Sequence, residues 1–127
     1  MTQISIDVQP RYIEAESDPD QQRFVFAYTI TIANQGSSPA RLLNRRWLIT
    51  DADGGVEEVK GAGVVGKRPR LEPGERFRYT SAAILKTPVG SMQGHYEFER
   101  DDGTLFLADI PAFSLSIPSL SMPRIVH

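Results

Sequence analysis

Six glycine-spaced residues are the first place in this 127-residue chain to look for chemistry. Gly61-Ala62-Gly63-Val64-Val65-Gly66 matches the glycine-rich pattern of dinucleotide-binding turns. That pattern works when a strand leads into a helix whose N-terminus holds a pyrophosphate. A strand over residues 56–60 can precede it, but Lys67-Arg68-Pro69-Arg70-Leu71-Glu72-Pro73-Gly74 follows. Two prolines exclude an ordinary helix interior there. The segment through Lys67 also approaches a P-loop. The next residue is Arg68, where magnesium binding needs Ser or Thr. What survives is an anion nest of backbone N–H groups at Gly61, Gly63 and Gly66, with Lys67 and Arg68 supplying charge. The competing and favoured reading is a loop whose glycines meet backbone demands.

His95, Glu97 and Glu99 fall on one face of a strand by the period of two. Imidazole and carboxylates suit a divalent ion. Three such positions span about 13 Å, too far for one ion to bridge the outer two. No metal site is therefore expected, with His95 the only candidate ligand. Asp51 and Asp53 before Gly54-Gly55 lack the remaining ligands of an EF-hand loop and read as a hairpin turn. Glu57-Glu58 and Asp101-Asp102 are adjacent on strands, so their carboxylates point apart. With only two histidines, His95 and the final residue His127, and no cysteine, a catalytic triad is hard to assemble. No catalytic residue and no cofactor is expected.

The elements that carry these residues read as strands. Ile4, Ile6 and Val8 alternate with polar neighbours, and Phe24, Phe26, Tyr28, Ile30 and Ile32 continue the pattern. Thr29 and Thr31 belong to the opposite face. Residues 41–50 read as a strand with Leu43, Trp47 and Ile49 on one side and Trp47 as the core anchor. Further strands are expected at 76–80, at 95–99, at 105–110 and at 113–117. Asp18-Pro19-Asp20, Asn34-Gln35-Gly36, Asp53-Gly54-Gly55, Pro73-Gly74 and Asp102-Gly103 separate them. Pro followed by Gly suits a type II turn. Short strands with this punctuation predict an all-β, antiparallel two-sheet sandwich. One domain over 1–127 is expected, with a loose tail at 118–127.

Hydrophobic residues at 40% and charged residues at 24% are ordinary globular values. A net charge of -2 argues against a general nucleic-acid binder. No apolar run approaches the ~20 residues of a membrane helix, and residues 1–10 lack the apolar block of a signal peptide. A cytoplasmic location is the expectation. Free sheet edges allow a homodimer.

Several strings together resemble the ApaG family. They are Phe26-Ala27-Tyr28-Thr29-Ile30-Thr31-Ile32, Arg46-Trp47-Leu48-Ile49-Thr50-Asp51, the glycine segment 61–66, Leu71-Glu72-Pro73-Gly74, Tyr79-Thr80-Ser81 and Met92-Gln93-Gly94-His95-Tyr96. The resemblance implies an immunoglobulin or fibronectin type III-like sandwich. It also implies a link to magnesium and cobalt homeostasis under the name CorD, and bacterial neighbourhood with a diadenosine tetraphosphate hydrolase. Related domains in F-box proteins and in a polymerase-delta-interacting protein look like interaction modules. The expected function is thus a non-enzymatic module that binds another protein. The alternative is binding of a nucleotide polyphosphate through the glycine loop.

Overall fold

In the computed structural model, which describes residues 3–118, the alternating segments form eight strands in two antiparallel sheets. The smaller sheet has the order β1 (Ile4–Tyr12), β2 (Phe24–Asn34), β6 (Arg76–Leu85). The larger runs β4 (Val56–Ala62), β3 (Ala40–Asp51), β7 (Val89–Arg100), β8 (Leu105–Ser116). A two-residue strand β5 (Arg70–Leu71) pairs with β3 beyond the end of β4. The two-sheet antiparallel sandwich is as the periodicity predicts.

Alternation explains the core. Phe26, Ile30 and Ile32 of β2 are at most 1% exposed, as are Tyr96 and Phe98 of β7. Their strand neighbours face outward, and Thr29 bonds Thr80 across the small sheet at 2.8 Å. Trp47 is 2% exposed and meets Tyr28, Tyr96 and Phe113 edge-to-face or tilted within 6.4 Å. It is the inter-sheet anchor that the sequence suggests. Such aromatic pairs add about 0.5–1.5 kcal/mol each beyond area burial.

Turn chemistry fixes the connections. Gly74 has φ +89° and Glu75 N–H closes on Glu72 O at 2.9 Å, the geometry expected of Pro73-Gly74. Asn34 is 2% exposed and fully engaged. Its side-chain amide donates to Ser38 O and Leu71 O, and its oxygen accepts from Gly36 N–H. Asp18-Pro19-Asp20 leads into a single 3-10 turn at Pro19–Gln21, and another 3-10 turn occupies Glu14–Glu16.

Three expectations are corrected. Leu43 does not share a face with Trp47 by simple alternation, because the register shifts between Leu42 and Asn44. This bulge buries Leu42 fully and turns Arg45, not Arg46, inward. Residues 105–117 do not make two strands; β8 is continuous, with a register shift opposite Met92 and Gly94. The strands expected at 76–80 and 95–99 run on to Leu85 and begin at Val89. The expected loose tail lies, beyond Pro118, outside the described residues.

Candidate functional site

The glycine segment begins on edge strand β4 and ends before β5, both of which pair with β3. The excursion between them is a miniature hairpin. Val64 N–H donates to Lys67 O and Lys67 N–H donates to Val64 O, each at 2.8 Å. Its two central residues, Val65 and Gly66, have φ 43° and 78°, both in the left-handed region that a type I′ turn demands. Gly63 N–H bonds Leu43 O at 2.7 Å, and Leu42 N–H bonds Pro69 O at 3.0 Å. The excursion therefore sits opposite the β3 bulge, and Val64 is driven into the core at 0% exposure.

Each glycine has a local backbone reason. A Cβ on Gly63, whose φ is +64°, would lie 2.3 Å from Lys67 O. Gly66 needs its positive φ, with open space around it. Gly61 makes room for Arg45, whose guanidinium would lie 2.8–2.9 Å from a Cβ there. That guanidinium donates to Gly63 O at 2.8 Å and Ala62 O at 3.2 Å, bracing the loop from inside. The N–H groups of Gly63, Val64 and Lys67 are spent within the fold. Arg68 is tied by its carbonyl, which accepts from Arg41 at 2.8 Å. Lys67 and Arg68 are exposed.

Arg45 was hidden from sequence reasoning. It shares the inter-sheet space with Tyr28, Tyr79 and Tyr96. Burial raises the phenol pKa of all three, and the nearby Arg45 charge offsets this in part. Alternation from Trp47 puts Arg45 on the inward face, but what opens space for its guanidinium is Gly61, its partner on β4, and that pairing depends on the β3–β4 register.

His95, Glu97 and Glu99 lie on the outer face of the larger sheet. They stand opposite Arg46, Asn44 and Arg41 respectively. Asn44 donates to Glu97 at 2.7 Å. Among the described residues, no three His, Cys, Asp or Glu side chains converge as a metal cage. His95 and Glu97 instead line a groove of about 600 Å³ with Asn44, Arg46, Lys60 and Leu107. Arg46 is held by Glu58 at 2.5 Å, which also draws the Glu58 carboxyl below its usual range. Beside the groove, Leu105 and Leu107 are 54% and 50% exposed on β8. The sequence names these two as strand residues but does not say that they face solvent. No helix among the described residues is long and apolar enough to cross a membrane.

Comparison with known proteins matches this architecture. The family model described as ApaG domain covers residues 14–100. Protein ApaG of Salmonella arizonae is 54% identical over 117 residues, 92% of this chain and 94% of its own length. Protein ApaG of Salmonella newport matches equally, at 54% identity over 92% of this chain and 94% of its own length. A solved structure of an ApaA protein from Bordetella pertussis superposes with TM-score 0.89 and 48% identity, over 91% of this chain and 94% of that one. The residues matched by the family model contain the glycine hairpin, the β3 bulge and the groove residues of β3, β4 and β7; this chain belongs to the ApaG domain family.

Proposed function

We propose that this protein is a non-enzymatic binding module that engages another protein in a bacterial cytoplasm through the outer face of its larger sheet. The carrying observation is the exposure of Leu105 and Leu107 on the terminal strand β8, next to the groove at His95 and Glu97. Two half-exposed leucines, two residues apart on one strand face, offer apolar area for a partner side chain. The groove beside them supplies hydrogen-bonding groups of both signs, which fix orientation more than affinity. The titratable groups here lie along an open groove on a sheet face rather than in a closed pocket, which is the pattern of a recognition surface.

The link of the family to magnesium and cobalt homeostasis fits a module that acts by contact with another protein rather than by holding the ion. The test is photo-crosslinking in living cells from position 105 or 107, with position 80 on the outer face of the small sheet as control. A single partner crosslinked only from β8 must then bind the purified protein, and Leu107→Asp must weaken that binding about tenfold or more. Equal labelling from position 80, or a purified complex indifferent to Leu107→Asp, contradicts the reading.

A further inference from the structure

Strand β4 ends the larger sheet, so one side of its backbone is unpaired by any described strand. The hydrogen bonds say which residues are involved. Asp51 N–H donates to Gly55 O and Gly63 N–H donates to Leu43 O. The pairs Ile49–Glu57, Trp47–Val59 and Arg45–Gly61 lie in the same series. Residues 57, 59 and 61 thus bond inward to β3, because such pairs alternate along an antiparallel ladder. Val56, Glu58, Lys60 and Ala62 turn their N–H and C=O groups to the free edge.

From this geometry we propose that β4 is the interface through which two copies of this chain join, strand against antiparallel strand, about a two-fold axis at Val59. The seam rests on the free backbone edge of β4, while the partner-binding reading rests on Leu105 and Leu107 of β8 at the other edge of the same sheet; Lys60 borders the groove between them. Backbone pairing requires even-numbered residues to face even-numbered residues. An axis at Glu58 sets Glu58 against its own copy, and an axis at Lys60 sets Lys60 against its own copy. Like charges directly opposite are destabilising. The axis at Val59 instead sets Glu58 against Lys60 of the second copy, twice, and Val56 against Ala62. Val56 is 62% exposed in the single chain. A lone edge lysine commonly guards a sheet against pairing; here its complement stands two residues away.

The inner face of the strand agrees. The same register places Glu57 of one copy across from Gly61 of the other. Over Gly61 lies the Arg45 guanidinium, which bonds carbonyls and makes no ion pair among the described residues. Glu57 is exposed and has no ion pair among them either. Pairing would bring this carboxylate to that cation. The side of the sandwich between β4 and β6 is open, with a cleft lined by Ile49, Val56, Glu57 and Ile84, so the second copy has room to approach. One seven-residue strand pair is a small interface, and the association expected is micromolar.

Sedimentation equilibrium across a concentration series tests this. Wild type should dimerise reversibly. Glu58→Lys and Lys60→Glu, each alone, put two like-charge pairs in the interface and should weaken the dimer about tenfold or more. Mixed in equal amounts, the two variants should regain it, because each heterodimer then holds two opposite-charge pairs. Because the chain has no native cysteine, Val59→Cys should oxidise to a covalent dimer while Val56→Cys should not, since only residue 59 faces its own copy. A wild type that stays monomeric into the millimolar range would overturn the proposal. So would a dimer indifferent to both charge variants, or one that mixing fails to restore.

Discussion

The phenolic oxygens of Tyr79 and Tyr96 lie 2.5 Å apart in the interior, tying β6 of the smaller sheet to β7 of the larger. Both rings are buried, Tyr96 completely. Burial pushes both phenols well above the ordinary tyrosine pKa. Neither ionises in the folded protein near neutrality, and each can serve the other as donor or acceptor. Tyr96→Phe leaves Tyr79 with a buried hydroxyl lacking this partner and should cost about 1–3 kcal/mol. The double change Tyr79→Phe with Tyr96→Phe should cost less than the sum of the two single changes. Denaturant melts on the four variants measure the coupling.

The same pair makes a pH prediction. A raised folded-state pKa means stability that is whole below the unfolded tyrosine value of about 10 and is lost as pH rises beyond it. Unfolding free energy should therefore be insensitive to these groups between pH 7 and about 9 and fall above about pH 10. Tyr79 and Tyr96 of wild type should ionise together with unfolding in an ultraviolet pH titration. Ionisation of Tyr79 and Tyr96 at the ordinary pKa in a still-folded protein would contradict their placement.

Trp47→Ala should destabilise by roughly 3–5 kcal/mol, because it empties the space shared with Tyr28, Tyr96 and Phe113. Urea melts check this, and a loss below about 1 kcal/mol would put the ring outside the core.

Much of the fold is legible in the residues, and the failures have physical causes. The long alternations at Phe24, Phe26, Tyr28, Ile30 and Ile32 and at Tyr96 and Phe98 announce their faces, since burial on one side is what selects them. Leu43 misleads because a bulge adds one residue and inverts the parity of everything after it in β3. The start of β7 is masked by Gly90 and Gly94, where close backbone approach excludes a side chain. A Cβ at Gly94 would stand 2.0 Å from Arg46 O. The glycine motif is visible as a pattern, but its partner Arg45 is not, because that contact depends on the long-range β3–β4 register that sets Gly61 against Arg45. Exposure of Leu105 and Leu107 is equally hidden, since apolar strand residues ordinarily read as core.

The glycines should separate by mechanism in stability measurements. Gly63→Ala combines a left-handed φ with a Cβ driven onto Lys67 O, and should cost well over ~1 kcal/mol. Gly66→Ala meets only the φ cost and should lose about 1 kcal/mol. Lys67→Ala and Arg68→Ala should stay within about 0.5 kcal/mol of wild type. Equal losses at Gly63 and Gly66 would argue against the close approach.

Titration calorimetry with cobalt and zinc should register only weak association: Asp109 of β8 faces His95, but among the described residues no three His, Cys, Asp or Glu side chains gather into a metal cage. A stoichiometric, submicromolar site abolished by His95→Ala would contradict this.

The glycine segment is backbone architecture rather than an anion site: the N–H groups of Gly63, Val64 and Lys67 are spent within the fold, although Gly61 and Ala62 also line the groove on the larger sheet. Backbone amide NMR shifts followed during titration with a dinucleoside polyphosphate test that claim most directly. No saturable change tighter than about millimolar, near -4 kcal/mol, is expected. Saturable micromolar shifts confined to residues 61–70, weakened by Lys67→Ala and Arg68→Ala with stability unchanged, would contradict it.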